Sequence, residues 1–505
     1  MKRVLVVHAL THRMRRTTVD FVMSFGRYTP AGVDVTYHNL SRPPGRDVRD
    51  LGFDALILPY DILSLRQAPR WNSLLEALIP FAEDADLVIA MPQDDYTYNG
   101  VLDSSLDALG TDVIYTPIES GLDIIYPSMS SKARIELALT GYVDEKSVAV
   151  LNEFRIPIEE RSIDVGQRVR MLPAWFGRKG TQKGLFAERF AALSEGTVLD
   201  VDISTDHANV FSGDDWYRFL ASCRATIGEK GGASLCDPDG SIMERVVNYI
   251  DGHRSATFDE IEAACFPGLD GVAVMTAISP RLFDAAIMHT AQVLVEDDYL
   301  GVMEPWVHYI PTDQDLSNFD EIVEAVTDTD LLVRITNAAD QALIQSGQFT
   351  YRAFAERVLK GVGDHREGSA ASSPVDLAEE LQWRLTPELF EAVQRCAYLG
   401  NATGSLRRFA MLAEDVEALL TEQPALVNHF DYEILRLVLG DVEIHPAVDG
   451  HAAAVIDVLG ECFKAGATRS VVKWFRYMDT ARVEDWKLLD WTDWPRIELD
   501  EAGAR

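Results

Sequence analysis

Short apolar runs alternate with amphipathic segments along the first third of the chain. The run Val4–Val7 is continuously apolar, which is typical of a strand buried on both faces. Leu74–Phe81 has the apolar spacing of a helix that packs one face against a core. Strands that alternate with helices form parallel, doubly wound sheets. The other predicted strands are Asp34–Tyr37, Ala55–Leu58, Leu87–Ala90 and Val113–Tyr115, and a further helix is predicted over about 15–26.

A second alternation of the same kind begins near residue 163. Its predicted strands are Val169–Leu172, Thr197–Val201, Ala225–Ile227, Val272–Met275 and Gln292–Val295. Its predicted helices are Gly184–Leu193, Trp216–Ala221, Ser241–Ile250 and Phe319–Val326. We therefore predict an α/β fold with two Rossmann-like, doubly wound domains, at residues 1–162 and 163–335.

The last third of the chain has a different pattern. Leu343–Leu359 has helical spacing, and residues 361–374 are rich in Gly, Ser and Ala, which is typical of a linker. Beyond this linker, Leu412–Leu420 and Ala452–Phe463 show the apolar spacing of amphipathic helices. We predict a helical C-terminal region over 336–505.

The composition limits the possible partners. The chain has 505 residues, and its 46 basic and 80 acidic residues give a net charge of −34, which repels DNA and anionic membranes. The five cysteines are scattered and form no C-x-x-C pair, as expected of free thiols in a reducing cytoplasm. No apolar run approaches the ~20 residues of a membrane span. We expect a cytoplasmic protein with no integral membrane segment and no nucleic-acid partner, and the oligomeric state stays open.

Residues 278–297 form the most informative segment. Ser279 is a good N-cap, and Pro280 suits the first position of a helix. Arg281 and Asp284 lie three positions apart and so share one face of that helix. A helix start offers free N–H groups to an anion, Arg281 adds charge for a diphosphate, and Asp284 can accept two ribose hydroxyls. These residue types together indicate a nucleotide-binding site.

Two glycine-rich segments indicate contacts to the same ligand. Residues 177–184 are predicted to form a basic loop that is flanked by glycines and leads into a helix, and in it Arg178 and Lys183 can bind phosphate. Residues 228–234 follow the strand Ala225–Ile227, and a turn at that end of a parallel strand is where doubly wound folds place ligands. Within this turn, Glu229 and Ser234 are candidate contacts to a sugar or phosphate.

Asp94 and Asp95 follow the predicted strand Leu87–Ala90. A carboxylate at this strand end can act as general base for an acceptor hydroxyl, and neighbouring carboxylates raise each other's pKa. Asp95 is the first candidate, Asp94 the second, and His8 at the end of the first strand the third. We expect no metal and no cofactor, because cationic side chains and a helix terminus already serve a diphosphate.

Several of these segments resemble GT-B glycosyltransferases, especially the CgeB-like and family-4-like groups. The segment Ser279–Ala285 resembles their S-P-R-x-F-E-A motif with Asp284 in place of Glu, and 177–184 resembles G-R-x-x-x-x-K-G. Residues 308–311, 315–318 and 93–96 resemble their H-Y-I-P, D-x-S-N and Q-D-x-Y segments. The resemblance covers roughly residues 1–335. One position departs from it, because Thr276 stands where family-4 enzymes carry a Glu.

The resemblance implies two Rossmann-like domains facing a cleft, with the acceptor in the first and the donor in the second. It also implies that Arg178 and Lys183 hold the donor's diphosphate. The predicted function is transfer of a sugar from a nucleotide-diphosphate donor, as co-substrate, to a hydroxyl of a glycan or small-molecule acceptor. The alternatives are a nucleotide-sugar 2-epimerase of the same fold and a non-catalytic nucleotide-binding scaffold, which Thr276 favours.

Overall fold

A computed structural model describes residues 2–9, 16–40, 52–211 and 213–364 of the chain. The predicted linker from residue 365 onward, the predicted helices at 412–420 and 452–463, and the start of the helix predicted over 15–26 lie outside the described residues. By its contacts the chain divides into two compact units. Of the described residues, the first comprises those within 1–62, 84–86 and 355–364, and the second comprises those within 63–83 and 87–354.

Unit 1 contains three parallel strands in the order β2-β1-β3. They are β1 (Lys2–His8), β2 (Val33–Asn39) and β3 (Ala55–Leu58), and α1 (Arg16–Arg27) follows β1. Val4 pairs with Val35 on one side and with Ala55 on the other, and all three side chains are buried. The continuous apolar run of β1 therefore forms the centre of this unit's core.

Unit 2 contains three sheets. The strands β4 (Leu87–Ala90), β5 (Val113–Thr116) and β6 (Arg134–Leu137) are parallel neighbours. A second parallel sheet has the order β13-β12-β9-β7-β8. Its strands are β7 (Ile163–Arg168), β8 (Val201–Ser204), β9 (Cys223–Gly228), β12 (Ala291–Val295) and β13 (Ile310–Thr312). The short strands β10 (Gly231–Ala233) and β11 (Met275–Ala277) form an antiparallel pair.

Helices flank these sheets. They are α2 (Tyr60–Leu63), α3 (Trp71–Glu83), α4 (Asn99–Ala108), α5 (Leu122–Ile125), α6 (Glu145–Leu151), α7 (Gly177–Ser194), α8 (Asp214–Ser222), α9 (Ser241–Gly252), α10 (Phe258–Cys265), α11 (Arg281–Ile287), α12 (Phe319–Thr327), α13 (Thr329–Asp340) and α14 (Tyr351–Asp364). None of the helices in the described residues is long and apolar enough to cross a membrane.

The two faces of the second sheet carry separate apolar cores. On one face, Phe186 and Phe190 of α7 pack with Ala225, Ile227 and Val293 of the central strands. The other core, which includes α8 and α11, contains residues Leu220, Leu282, Phe283 and Leu294. A parallel sheet covered on both faces explains why β9 and β12 are almost entirely buried.

The α/β class predicted from the sequence is confirmed, because parallel sheets with flanking helices make up the described chain. The strand predicted at 169–172 was wrong, since the strand is β7 at Ile163–Arg168. Its sequence contains buried Gln167 and Arg168, which obscure the apolar pattern of a strand. The basic segment 177–184 was also assigned wrongly to a loop, because it forms the first two turns of α7. The domain boundaries near 162 and 335 stay a prediction.

Gly232 lets β10 and β11 approach closely. Its φ is +144°, and a Cβ atom there would lie 1.9 Å from the carbonyl oxygen of Met275. Any side chain at this position must therefore push two backbone segments apart, in a conformation that L-residues avoid.

We expect Gly232→Ala to lower the melting temperature by several degrees, as a loss of about 2 kcal/mol or more would do. The matched control is Gly252→Ala, because Gly252 has an ordinary φ and nothing within 4 Å of the added methyl group. Thermal unfolding followed by circular dichroism measures both variants. An unchanged melting temperature in Gly232→Ala would contradict the close packing of this strand pair.

Candidate functional site

A cavity lies at the carboxyl ends of β7, β9 and β12, where doubly wound sheets place their ligands. It has about 480 Å³ of space, including the part that is open to solvent. The residues that line it are Gln167, Lys183, Trp216, Leu220, Thr226, Ile227, Gly228, Glu229, Lys230, Ile278, Ser279, Arg281, Leu282, Gln292, Leu294 and Tyr299.

Lys183 is the most unusual charge in this cavity. Its ammonium group has no hydrogen bond or ion pair with any of the described residues. Burial, together with the positive charges of Arg281 and Lys179, lowers the pKa of Lys183 to about 8, against a partial opposing effect of Glu229. A cation in this situation is stabilised by a ligand that brings negative charge.

The start of α7 determines which basic residue reaches the cavity. The helix begins at Gly177, so both Lys179 and Lys183 are helical. Because they are four positions apart, they share one face of the helix. Gly177 has a φ of +73°, and a Cβ there would lie 2.3 Å from Asp270 Oδ1 and 2.4 Å from Ser234 Oγ. Glycine therefore allows this turn to sit against residue 234, which orients the Lys179–Lys183 face.

Arg178 lies on another side of the same turn. Its Nη2 is 2.5 Å from Asp259 Oδ1 and 2.9 Å from Glu262 Oε2, and its Nε is 3.5 Å from Asp270 Oδ2. The guanidinium also stacks over the ring of Phe258 at 4.5 Å. Arg178 is thus exposed, paired with three carboxylates and absent from the cavity lining. Its contact with a diphosphate stays a prediction.

Glu229 lines the cavity, whereas Ser234 supports its wall. Glu229 is 5% exposed, and its Oε2 accepts a hydrogen bond from Lys179 Nζ at 2.8 Å. Its buried Oε1 has no hydrogen-bond partner among the described residues. Ser234 Oγ donates to Asp270 Oδ1 at 2.6 Å and accepts from the backbone N–H of Lys179 at 3.0 Å. Ser234 therefore holds the start of α7 and is not part of the lining.

Arg281 lines the cavity, and Asp284 lies behind it. The Asp284 carboxylate accepts hydrogen bonds from Trp216 Nε1 and from the Tyr217 hydroxyl, both at 3.0 Å. Burial raises the pKa of Asp284, although these two bonds and the Arg281 charge oppose the rise. Arg281 lies over the Trp216 ring at 5.4 Å. In this structure Asp284 positions Trp216, a lining residue that the sequence analysis did not select, and its contact with ribose stays a prediction.

Lys230 is a second cavity residue that the sequence analysis did not select. Its Nζ lies 2.7 Å from Glu119 Oε2 and 3.2 Å from Asp297 Oδ1. Burial lowers the pKa of Lys230, but these two carboxylates outweigh that effect and raise it. Thr276 Oγ1 also donates to Glu119, at 3.4 Å. Lys230 follows Glu229 directly and could have been found from the same turn, whereas its distant partner Glu119 could not.

Asp95 is enclosed in unit 2 rather than open to the cavity. Its Oδ2 accepts hydrogen bonds from Thr116 Oγ1 and from the Tyr126 hydroxyl, the latter at 2.5 Å, and its exposure is 0%. Burial raises the pKa of Asp95, against the two hydrogen bonds and the Arg66 charge. Asp94 is exposed, has a φ of 51° and accepts a hydrogen bond from the Tyr96 hydroxyl at 2.9 Å.

His8 is buried at the end of β1 in unit 1. Burial and the charge of His38 lower the pKa of His8 to about 3, so the imidazole is neutral at pH 7 and is a weak base. None of the three base candidates lines the cavity. Their catalytic roles stay predictions, as does the expectation that no metal is needed.

No protein-family model and no curated protein matches the chain. Among solved structures, the chain is similar to an alpha-glucosyltransferase in complex with UDP, at 11% identity and a TM-score of 0.40, over 72% of this chain and 100% of that one. It is similar to HepE of Anabaena in complex with UDP and glucose, at 9% identity and a TM-score of 0.39, over 72% and 100%. It is also similar to AviGT4, a glycosyltransferase involved in avilamycin A biosynthesis, at 11% identity and a TM-score of 0.34, over 72% and 97%.

The lowered pKa of Lys183 gives a prediction about stability. Below about pH 8 the folded protein carries a charge that is poorly solvated, so wild-type folding is penalised there. The penalty fades as pH rises from about 8 to the ordinary value of 10.5, because Lys183 then loses its proton in the folded protein. We expect Lys183→Met to melt at a higher temperature than the wild type at pH 7, with a gain that shrinks towards pH 10.

Lys132→Met is the matched control, since Lys132 is an exposed lysine paired with Asp107 at 2.6 Å. This variant should show little change with pH over the same range. Differential scanning calorimetry at several pH values measures both. A lower melting temperature for Lys183→Met at pH 7 would mean that the ammonium group already has a stabilising partner.

Proposed function

We propose that the protein is a glycosyltransferase of GT-B type that uses a nucleoside-diphosphate sugar, and that the cavity binds the donor. The observation that carries this proposal is the unpaired ammonium group of Lys183 inside a cavity of a chain with a net charge of −34. An acidic protein repels anions in general, so an uncompensated cation in a concave site indicates a specific anionic ligand.

The diphosphate would lie between Lys183 and Arg281. Both line the cavity, and the repulsion between their charges contributes to the lowered pKa of Lys183. A bound diphosphate removes this repulsion and supplies charge-assisted hydrogen bonds. During transfer, the bond between the sugar and the diphosphate breaks and negative charge develops on the leaving group. Two cations already in place stabilise that charge without reorganisation of the protein.

The sugar and ribose hydroxyls need acceptors in the same cavity. Glu229 Oε1 is buried without a partner, so a hydroxyl of the donor would satisfy it. Arg178 is already paired with carboxylates and Asp284 already accepts two hydrogen bonds, so the ligand would compete with these partners for both side chains. We therefore propose Lys183, Arg281 and Glu229 as the first candidates for direct contact with the donor. Arg178, Ser234 and Asp284 are the second candidates.

Transfer to an acceptor hydroxyl also requires a group that takes its proton. We keep Asp95 as the proposed base, with Asp94 and His8 as alternatives. The raised pKa of Asp95 suits a proton acceptor. Thr116 and Tyr126 both donate to its Oδ2, so an acceptor hydroxyl would have to reach the buried Oδ1, which has no partner among the described residues. The acceptor would be a glycan or a small molecule.

We expect a nucleoside diphosphate to bind the wild type and its parent nucleoside to bind much more weakly. Lys183→Gln should weaken diphosphate binding by about 1.5–3 kcal/mol, the usual range for a hydrogen bond to a charged group. Arg178→Gln should have a smaller effect, because three carboxylates already hold that side chain. Isothermal titration calorimetry with UDP, GDP, uridine and guanosine measures these affinities, with Lys132→Gln as the control. Equal affinity for the nucleoside and for its diphosphate would refute the proposal.

Incubation of the pure protein with a panel of nucleotide sugars separates transfer from the alternatives. Slow release of free nucleoside diphosphate supports a glycosyltransferase. Conversion of the sugar to an isomer would identify an epimerase instead, and binding without any turnover would identify a scaffold.

The base is tested under saturating donor once turnover is measured. We expect Asp95→Asn to reduce turnover by about 10²-fold or more with donor affinity unchanged, and Asp94→Asn to remain near normal. Thermal unfolding of both variants is the control, because Asp95 is completely enclosed and its substitution is expected to cost stability. If Asp95→Asn melts earlier but turns over normally, its carboxylate is structural.

A further inference from the structure

Two polar side chains lie next to each other in the floor of the cavity. Thr226 of β9 is the register partner of Gln292 of β12, and partners in neighbouring parallel strands are about 4.8 Å apart with side chains on the same face. Thr226 is 7% exposed and Gln292 is 3% exposed, and both line the cavity. Polar residues at the centre of an otherwise apolar parallel sheet are unusual.

Both side chains retain hydrogen-bonding capacity. Gln292 Nε2 donates to the carbonyl oxygen of Leu282 at 3.2 Å, which fixes the amide with its Oε1 as the remaining acceptor. Among the described residues, none donates to that Oε1, and none forms a hydrogen bond with the Thr226 hydroxyl. Because both side chains line the cavity, a ligand group can complete this pair.

The surroundings restrict what that ligand group can be. The neighbouring lining residues are mostly apolar: Leu220, Ile278, Leu282, Leu294 and the ring of Trp216. Another polar lining residue, Gln167, is already satisfied, because its amide donates to Ile227 O and accepts from the backbone N–H of Arg168. A hexose has hydroxyls around its whole ring and would leave several unpaired here. A flat heterocycle needs polar partners only along one edge.

We propose that Thr226 and Gln292 form a nucleobase-recognition subsite of the cavity. Gln292 Oε1 accepts a hydrogen bond from an N–H of the base, and the Thr226 hydroxyl pairs with the adjacent ring oxygen or nitrogen. The apolar side chains contact the faces of the ring, and Lys183 and Arg281 lie towards the phosphates. This inference rests on the proposed function, since it assigns the base of the same nucleotide-sugar donor.

The experiment compares UDP, GDP and ADP, which differ only in the base, by isothermal titration calorimetry. Thr226→Val keeps the shape and the β-preference of the residue, and Gln292→Leu keeps a similar volume, so both variants should fold. We expect the wild type to prefer one base by about tenfold or more, as a buried hydrogen-bonded pair allows. Each variant should lose most of that preference while its affinity for inorganic pyrophosphate stays within about twofold of wild type.

The matched control is Thr336→Val, because Thr336 is equally buried, donates to Leu332 O at 2.9 Å and does not line the cavity. It should keep the wild-type base preference. Tight but equal binding of all three diphosphates by the wild type would overturn the subsite and leave the diphosphate site intact. Loss of affinity in the variants only for sugar-bearing donors would also overturn it, by placing the sugar on this floor. No binding of any diphosphate would refute the proposed function itself.

Discussion

The arrangement of the site depends on one electrostatic constraint, which is the uncompensated charge of Lys183. Its pKa falls to about 8 because α7 holds the ammonium group in a partly buried position beside Arg281 and Lys179. The helix can maintain this unfavourable position because its later residues Phe186 and Phe190 are buried in the core against the sheet. Apolar packing in one part of α7 therefore offsets the electrostatic cost in another part.

In the first two turns of α7, three basic residues point in different directions. Arg178 points to the carboxylates of Asp259, Glu262 and Asp270, Lys179 reaches Glu229, and Lys183 lines the cavity. Two of these cations are thus neutralised within the protein and the third is not. The number of basic residues in a segment therefore does not indicate how much charge it offers to a ligand, because helix phase and nearby carboxylates decide that.

The sequence predicted those features that depend on local patterns. Uniformly apolar strands such as β3 and β4 were located with their observed bounds, and Lys183 and Arg281 were selected from their spacing near glycine and proline. β7 was misplaced because Gln167 and Arg168 are buried polar residues whose partners come from distant strands. The Glu119–Lys230 pair and the Thr226–Gln292 pair could not be predicted for the same reason, since 111 residues separate the first two and sheet register joins the others.

The cavity residues also show why a ligand should stabilise this part of the protein. Lys183 lacks a partner, Glu229 Oε1 is buried without one, and Thr226 and Gln292 retain free hydrogen-bonding capacity among the described residues. The poorly solvated ammonium group of Lys183 and the unpartnered Oε1 of Glu229 cost folding free energy that an apolar residue of similar size would not. All four groups lie in one cavity rather than being scattered through the core, and their chemistry is complementary: a cation, an anion, a hydroxyl and an amide oxygen. A single ligand with phosphate, hydroxyl and heterocycle groups would satisfy all four, whereas a simple anion would satisfy only Lys183.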